Sequence, residues 1–281
     1  MNILTVDLEE WFHLLDFDVT QNESSWNNFE VRIYENTDRI LQILNDTNTK
    51  ATFFIIGWIA KTYPDIVKRI SQYYEIGSHT MTHQLVWKQD PDNFRNDVTA
   101  SIRSLEDITG KKIECFRAPG YSIRESEKWA FEILHELGIT ADCSVFPARH
   151  AHGGMPSYVD VKPAIIEYNG IEIKEFPVSS IRTMNKNIIF SGGGYFRLFP
   201  YFLIKRWSNK LDYNMSYIHP RDLDSGQPML EGLSLSRKFK SYVGIKSAEY
   251  KLRKYLTDFR FVDIKSATNM IDWENVPRIK L

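Results

Sequence analysis

Short apolar segments alternate with amphipathic segments along nearly the whole chain, and this alternation restricts the fold more than any other feature of the sequence. Residues 2–8 and 51–56 are rich in apolar and β-branched side chains over the length of a strand, whereas residues 91–109 carry apolar side chains at helical spacing. About seven or eight such β–α units fit into the chain of 281 residues. The sequence therefore predicts an α/β domain of barrel type.

No repeat, low-complexity tract or linker divides the chain. We expect a single domain over residues 1–281, with a motif-bearing core at 1–222 and a C-terminal extension at 223–281 packed on that core. The predicted strands are residues 2–8, 51–56, 75–78, 113–117, 140–144, 173–177, 215–219 and 261–264, and the predicted helices are residues 28–47, 64–74, 91–109, 126–137, 199–211 and 248–256.

Charge and composition argue against several classes of function. Lys and Arg number 35 against 36 Asp and Glu, so no overall positive field favours nucleic acid. No run approaches the ~20 apolar residues of a membrane span, and the first residues lack the features of a signal peptide. We expect a cytoplasmic protein without a transmembrane segment. Cys115 and Cys143 lack metal-type spacing and are expected to be reduced and buried, although neighbouring strands would also permit a bridge.

Polar side chains recur where the predicted strands end, which is where the active site of an α/β barrel lies. Asp7 and Glu9 end the first strand. Residues two positions apart in an extended chain face the same side. Because like charges repel, such a pair needs a nearby cation or a shared proton. An acidic strand end or a helix cap is the alternative interpretation.

His79 and His83 stand four residues apart in the segment SHTMTH, which follows the third strand. If residues 80–83 form a helical turn, both imidazoles lie on one face. Two imidazoles and a carboxylate with open positions are typical of a hydrolytic metal site. No Glu follows His79, which disfavours the zinc-protease motif, and a chance spacing is the alternative.

Arg117 and His219 end two further strands. Arg117 is placed to pair with a catalytic carboxylate, or with a structural one. Pro220 favours an extended backbone at His219, which suits a side chain held at a strand end. The alternative for His219 is a buried imidazole bonded to a backbone carbonyl.

Five segments resemble, in order, the motifs of the NodB-homology polysaccharide deacetylases, carbohydrate esterase family 4. They are TVDLE at 5–9, SHTMTH at 78–83, RAPGY at 117–121, DCS at 142–144 and IHP at 218–220. A branch associated with exopolysaccharide and capsule biosynthesis is the most similar, through the stretches VDLEEWF, DCSVFP and SGGGYFR. The resemblance implies a distorted (β/α)7-type barrel and a hydrolase that removes N-acetyl groups from amino sugars.

The resemblance also implies roles for individual residues. His79 and His83 are expected to bind a divalent metal, with zinc as the expected ion, and Asp7 to act as the catalytic base. Arg117 is expected to hold Asp7, and His219 to donate a proton to the leaving amine.

Three positions depart from the family pattern. Leu8 replaces the second Asp of the first motif, so Glu9 is the candidate for the third metal ligand. Gly120 stands where a Tyr is frequent, and the backbone N–H of Gly120 or Tyr121 is expected to face the substrate carbonyl oxygen. The fourth motif lacks its Trp, but Asp142 is expected to orient His219 and raise its pKa.

A second polar cluster, with Arg149, His150 and His152, is interpreted as a substrate-binding loop. Residues 199–207 mix aromatic and basic side chains, which favours a packing helix, with peripheral membrane contact as the alternative. The expected partner is an amino-sugar glycan or its lipid- or nucleotide-linked precursor. A hydrolase of cyclic amides or imides and a non-catalytic glycan-binding protein are the rival functions.

Overall fold

The computed structural model describes residues 1–15, 17–158, 161–183, 186–230 and 232–281. Within these ranges the strands are β1 (Asn2–Leu8), β2 (Thr52–Ile55), β3 (Glu75–Ser78), β4 (Cys115–Phe116), β5 (Ala141–Asp142), β6 (Ala164–Tyr168), β7 (Ile171–Glu175), β8 (Ile181–Thr183), β9 (Lys186–Ile188), β10 (Asn214–Ile218), β11 (Phe261–Val262) and β12 (Arg278–Lys280). The helices are α1 (Asp18–Gln21), α2 (Glu23–Trp26), α3 (Ile33–Asp46), α4 (Gly57–Thr62), α5 (Pro64–Ser71), α6 (Pro91–Thr109), α7 (Trp129–Glu136), α8 (Gly193–Leu198), α9 (Tyr201–Ser208), α10 (Leu235–Tyr242), α11 (Ile245–Asp258) and α12 (Ile264–Met270).

Neighbouring strands of the main sheet run parallel in the order β10-β1-β2-β3-β4-β5-β7. Parallel neighbours require crossover connections, and α3 to α7 provide them between β1 and β5. Because all these strands point the same way, their carboxyl ends meet at one edge. The arrangement confirms the expected distorted (β/α)7-type barrel.

Among the described residues, β7 and β10 are joined by side-chain hydrogen bonds, and β10 has one isolated backbone bridge, between Tyr217 and Gly192, instead of a strand ladder on this side. The hydroxyl of Tyr213 donates to the carbonyl of Pro177 at 2.8 Å, and the N–H of Met215 donates to the Ser179 hydroxyl at 2.6 Å. Ser191 donates to the carbonyl of Met215 at 2.9 Å. These bonds satisfy backbone groups at the seam that a paired strand would otherwise satisfy.

The outermost strands come from the end of the chain and from a hairpin. β6 pairs antiparallel with β7, and β12 adds to the other side of β6. β11 pairs with residues Asn2 and Ile3 of β1. The last sixty or so residues thus contact both the first strand and the far edge of the sheet.

Helix α6 has the bounds that the sequence predicts because both of its ends carry clear signals. The Asp90 side chain accepts the N–H of Asn93, and Pro91 occupies the first turn, where its missing N–H costs nothing. Gly110 ends the helix at a φ of 65°, a left-handed conformation that favours glycine.

Other elements differ from the prediction. The helix predicted at 28–47 begins only at Ile33, and the strands predicted at 113–117 and 140–144 pair over two residues each. Short elements carry too few apolar repeats for periodicity to reveal them. This applies to elements that the sequence analysis did not predict, namely α1, α2, α4, α8, α10, α12, β6, β8, β9 and β12.

Helix α9 occupies most of the stretch for which packing and membrane contact are alternatives. The Trp207 ring lies 5.0 Å from the Phe199 ring and 5.5 Å from the Phe190 ring, so these aromatic side chains pack within the domain. Phe202 is exposed. In the described part of the chain, no helix has the length and apolar character needed to cross a membrane.

We predict that Tyr213→Phe lowers the free energy of unfolding by about 1–3 kcal/mol, because it leaves the buried Pro177 carbonyl without its donor. Tyr73→Phe is the matched control, since Tyr73 is 79% exposed and its loss of a hydroxyl should change stability by less than about 0.5 kcal/mol. Urea unfolding measures both. Equal values for the two variants would contradict the role given to the seam.

Candidate active site

The polar residues singled out in the sequence meet at the carboxyl-terminal edge of the parallel strands. Asp7 lies in β1 and Glu9 just beyond it, His79 follows β3, and Arg117 follows β4. His219 follows β10, the neighbour of β1 on the side opposite β2. Strand direction alone therefore brings residues together that are up to about two hundred positions apart.

Glu9, His79 and His83 form a compact cluster. The Glu9 Oε1 atom lies 3.2 Å from His79 Nε2 and 3.0 Å from His83 Nε2. All three residues are buried, and one ligand atom of each lies within 4.8 Å of the others. Burial alone would raise the pKa of Glu9, but His83, His219 and His79 lower that pKa well below its usual range.

The donor set of this cluster fits a cation. The Nδ1 atom of His79 lies 2.7 Å from the carbonyl oxygen of Arg117, so Nδ1 carries the proton and the Nε2 lone pair faces Glu9. His83 Nε2 is buried and, among the described residues, has no aligned hydrogen-bond partner. Acceptors that face one another at this distance repel unless a positive charge lies between them. Two imidazoles and one carboxylate are a ligand set that suits zinc.

The loop that carries the two histidines is not helical. Thr80 and His83 have φ angles of 64° and 55°, so the backbone is left-handed at both. Asp97 of α6 accepts the N–H groups of Met81 and Thr82, which holds the loop in place. The imidazoles converge because of this tight turn, and the helical-turn interpretation of their spacing is wrong.

Asp7 is paired with a fully buried arginine. Arg117 Nη1 donates to Asp7 Oδ1 at 2.7 Å and to the Thr5 hydroxyl at 2.7 Å. The Asp7 Oδ2 atom is turned away from this pair and lies 3.8 Å from His219 Nε2. Asp7 thus has one oxygen fixed by Arg117 and one directed to the centre of the site.

His219 is held by Asp222 and not by Asp142. The Asp222 Oδ2 atom lies 2.9 Å from His219 Nδ1 and accepts the His219 backbone N–H at 2.9 Å. Burial by itself would lower the pKa of His219, but Asp222, Glu9 and Asp7 together raise it to about 9. The imidazole is therefore charged at neutral pH, with Nε2 directed toward Asp7 and Glu9.

Asp142 instead supports the loop that contains Arg117. Its carboxylate accepts the Ser144 hydroxyl at 2.6 Å, and the Ser144 oxygen accepts the Ala118 N–H at 2.8 Å. Burial raises the pKa of Asp142, although bonds from Glu175 and Ser144 oppose this. The expectation that Asp142 orients His219 is thus corrected, because Asp142 contacts Glu175 of β7 and Ser144, and Ser144 bonds to the loop that contains Arg117.

The remaining predicted residues lie beside that loop. The Tyr121 N–H already donates to the Ala118 carbonyl at 3.0 Å, which leaves the Gly120 N–H as the donor that could face a substrate oxygen. Gly120 has a φ of 57°, and a Cβ there would lie 2.6 Å from a Leu15 methyl carbon and 3.1 Å from the His152 Cβ. The His150 ring packs 4.3 Å from the Phe146 ring, and burial lowers the pKa of His150 to about 4.

A cavity of about 260 Å³ lies beside His83. Its lining includes His13, Trp26, Gln84 and Lys88. His13 Nδ1 accepts the Glu10 N–H at 3.2 Å, so its Nε2 carries the proton, and that buried atom has no partner among the described residues. An aromatic wall with polar groups at its rim is suited to a sugar ring.

Sequence reasoning missed His13, Asp222 and Arg197, which contacts Asp222 (Arg197 Nε to Asp222 Oδ1, 2.8 Å). The spacing His219-x-x-Asp222 was a usable signal, because a side chain three residues after a strand end can bond back to the backbone N–H. No comparable local signal exists for Arg197, whose partners are distant in sequence. The local bond from Glu10 to His13 does not reveal that the His13 ring lies near His83.

Two family profiles match adjoining parts of the chain. One, described as polysaccharide deacetylase, matches residues 18–141, and the other, described as domain of unknown function (DUF3473), matches residues 143–269. Residues 18–141 of the chain are thus similar to the polysaccharide deacetylase family. His79, His83 and Arg117 fall in the deacetylase match, and His219 falls in the second match.

Curated relatives cover limited parts of the chain. A peptidoglycan-N-acetylglucosamine deacetylase from Bacillus cereus is 38% identical over 100 residues, which is 35% of this chain and 36% of that protein. A chitooligosaccharide deacetylase from Bradyrhizobium is 29% identical over 140 residues, or 48% of this chain and 62% of that protein. The chain spans between 31% and 46% of the length of four of the curated relatives that it matches.

Solved structures share the fold over almost the whole chain. A candidate polysaccharide deacetylase from Mycobacterium smegmatis superposes with a TM-score of 0.64 at 16% identity and covers 98% of this chain and 93% of its own. A mutant CE4-family pseudoenzyme with restored enzymatic activity gives a TM-score of 0.51 at 17% identity and covers 99% of this chain and 69% of its own. At such identities these likenesses establish the fold.

We predict that metal-free protein loses stability as the pH rises from about 7 to about 10. A histidine whose pKa is raised from 6.5 to about 9 stabilises the fold fully below its unfolded pKa and loses that contribution as the pH passes the folded pKa. Over this pH range, the unfolding free energy of His219→Asn should fall less than that of the unaltered protein, by up to about 3 kcal/mol.

Denaturant unfolding at several pH values after chelator treatment measures this difference. His135→Asn is the control, because His135 is exposed at the end of α7 and should leave the pH dependence as in the unaltered protein. Parallel pH profiles for His219→Asn and the unaltered protein would contradict the prediction.

Proposed function

We propose that the protein is a metal-dependent N-deacetylase that hydrolyses the acetamide group of an amino sugar, in a glycan or in its lipid- or nucleotide-linked precursor. The observation that carries this proposal is the convergence of Glu9, His79 and His83 beside the Asp7–Arg117 pair and the His219–Asp222 pair. The names of the relatives, which act on peptidoglycan and chitooligosaccharide amino sugars, support the substrate class.

Glu9, His79 and His83 would hold a divalent cation, for which we propose zinc. When bound, such an ion supplies Lewis-acid polarisation of the amide carbonyl and a lowered pKa of water at the site. The three ligand side chains are buried, so bulk water would have little access to the cation past these residues.

Asp7 acts as the general base in this proposal. Its Oδ2 atom receives the proton of the attacking water, while Oδ1 stays bonded to Arg117. The guanidinium fixes the direction of the carboxylate and balances its charge. The Gly120 N–H stabilises the negative charge that develops on the carbonyl oxygen.

His219 acts as the general acid. Its Nε2–H is directed to the centre of the site, within 4 Å of Asp7 and Glu9, where it can protonate the departing amine nitrogen. The side chain of His219 is 22% exposed, whereas those of Asp7, Glu9, His79 and His83 are at most 8% exposed. The substrate therefore enters from the His219 side.

We also propose that residues 1–281 work as one domain. Support comes from the pairing of β11 with β1, of β12 with β6, and from packing of α11 against the turn Pro220–Leu223 that follows His219.

We predict near-stoichiometric zinc and acetate release from N-acetylglucosamine oligomers for the unaltered protein, with both lost in His79→Ala. His135→Ala, on the exposed surface of α7, should retain both. Metal analysis and an acetate assay are run on the same samples. A protein that binds zinc and hydrolyses a cyclic amide, but releases no acetate, would be the rival hydrolase and not a deacetylase. Folded protein with neither zinc nor turnover would leave a glycan-binding protein.

Asp7→Asn should separate the base from the metal ligands. We expect kcat to fall by about 10²–10⁴-fold, because the amide cannot accept the proton, while the zinc content stays unchanged. Asp107→Asn, at an exposed position of α6, is the matched control. Loss of zinc in Asp7→Asn would assign Asp7 to the metal and overturn its role as base.

A further inference from the structure

Asp222 has a second charged neighbour besides His219. Its Oδ2 atom is engaged by His219, and its Oδ1 atom lies 2.8 Å from Arg197 Nε in an ion pair. Both side chains are buried, with exposures of 6% for Asp222 and 5% for Arg197. A buried carboxylate between two cations is strongly held in its ionised form, and Arg197 and His219 lower the pKa of Asp222 far below its usual range.

The guanidinium of Arg197 is itself held by the corner between α10 and α11. Its Nη1 atom donates to the carbonyls of Ser241 and Val243 at 3.0 and 2.9 Å, and Nη2 donates to that of Lys240 at 3.2 Å. These are carbonyls at the C-terminal end of α10, which lack intrahelical partners and favour a cation. Arg197 thus joins the end of α10 to the carboxylate behind His219.

The same corner also contacts the backbone around Arg197. Lys251 of α11 donates from Nζ to the carbonyls of Phe196 and Phe199 at 3.0 and 3.2 Å and contacts that of Arg197 at 2.5 Å. Gly244, with a φ of 71°, packs so closely that a Cβ there would lie 2.1 Å from the Arg197 carbonyl oxygen. The position of Arg197 is therefore set by α11 from one side and by α10 from the other.

We propose that Arg197 is a positioning residue for the general acid, and that the corner at residues 240–244 serves to hold Arg197 against Asp222 so that the His219 imidazole has one orientation. The catalytic meaning of this chain of contacts rests on the proposed function. The proposal also gives a role to part of the region that matches a domain of unknown function, since Arg197, His219, Asp222 and residues 240–244 all lie within residues 143–269.

A purely structural role for Arg197 makes different predictions. Arg197 satisfies three backbone carbonyls whatever it does for Asp222, so its removal should cost stability in either case. Only a positioning role predicts that kcat falls while KM and zinc content are retained, and that Arg197 and Asp222 act as a unit. Residues that act through one another give non-additive effects.

The test compares Arg197→Met, Arg197→Lys, Asp222→Asn and the double variant Arg197→Met with Asp222→Asn. We expect kcat to fall by about 10- to 100-fold in Arg197→Met, with KM and zinc unchanged, because a small misplacement of the acid is costly. Arg197→Lys should restore part of the loss, and the double variant should be no slower than the slower single variant. Arg253→Met, which removes a guanidinium of α11 paired with Glu249 and Asp46, is the matched control.

An activity-independent measurement separates this proposal from the proposed function. In protein with ¹⁵N-labelled histidine, the Nδ1–H signal of His219, identified by its loss in His219→Gln, should be protected from exchange in the unaltered protein. We expect the His219 Nδ1–H signal to disappear in Asp222→Asn and to lose its protection in Arg197→Met. In the control variant Arg253→Met, the signal should stay protected.

An unchanged His219 signal in folded Arg197→Met, or additive losses of kcat in the double variant, would overturn the positioning role. If the unaltered protein shows the protected signal but hydrolyses no amide, the deacetylase proposal fails and the positioning of His219 stands.

Discussion

The interior of the barrel is organised around the buried guanidinium of Arg117. A charge with no exposed surface costs several kcal/mol unless it is paired and fully hydrogen-bonded. Arg117 meets that condition by bonding to Asp7 and Thr5 of β1 and to the Cys143 carbonyl just beyond β5, and its guanidinium lies 4.4 Å from the Phe54 ring of β2. Strands that moved out of register would leave this charge uncompensated, so the fold and the orientation of the Asp7 carboxylate depend on the same group.

The site is assembled from two unlike parts of the chain. The proposed cation ligands and the proposed base lie at the ends of β1 and β3, and they are supported by Asp97 and by the Arg117 loop. His219, the proposed acid, follows β10 and is held by Asp222, which in turn contacts Arg197 and, through it, the α10–α11 corner. β1 and β10 pair directly, which brings the two parts together.

The sequence predicts the parts of the site that depend on strand geometry. Asp7 and Glu9 face one side because alternate residues of a strand do so, and the strand ends meet because the strands are parallel. The approach of His83 to His79 depends instead on left-handed backbone at Thr80 and His83, stabilised by Asp97 from a different element. Spacing cannot reveal a turn set by a distant side chain. The partner of His219 is a different case, because the family resemblance pointed to Asp142 although Asp222, three residues after His219, offered a local signal. The alternation of segments predicted the barrel, but not the side-chain seam between β7 and β10, which leaves no periodic pattern.

Asp7 lies in β1 and Glu9 directly follows the last residue of that strand, so only Leu8 separates the two carboxylates along the chain. A displacement of the end of β1 moves both carboxylates together. The spacing between Asp7 and Glu9 is therefore less sensitive to deformation of the barrel than the spacing of either residue to His219, which follows a different strand. Such a site has one nearly constant spacing and one adjustable spacing. Sequence change in the half that carries His219 could adapt the reach of the acid to bulkier leaving groups while the hydrolytic pair keeps its geometry.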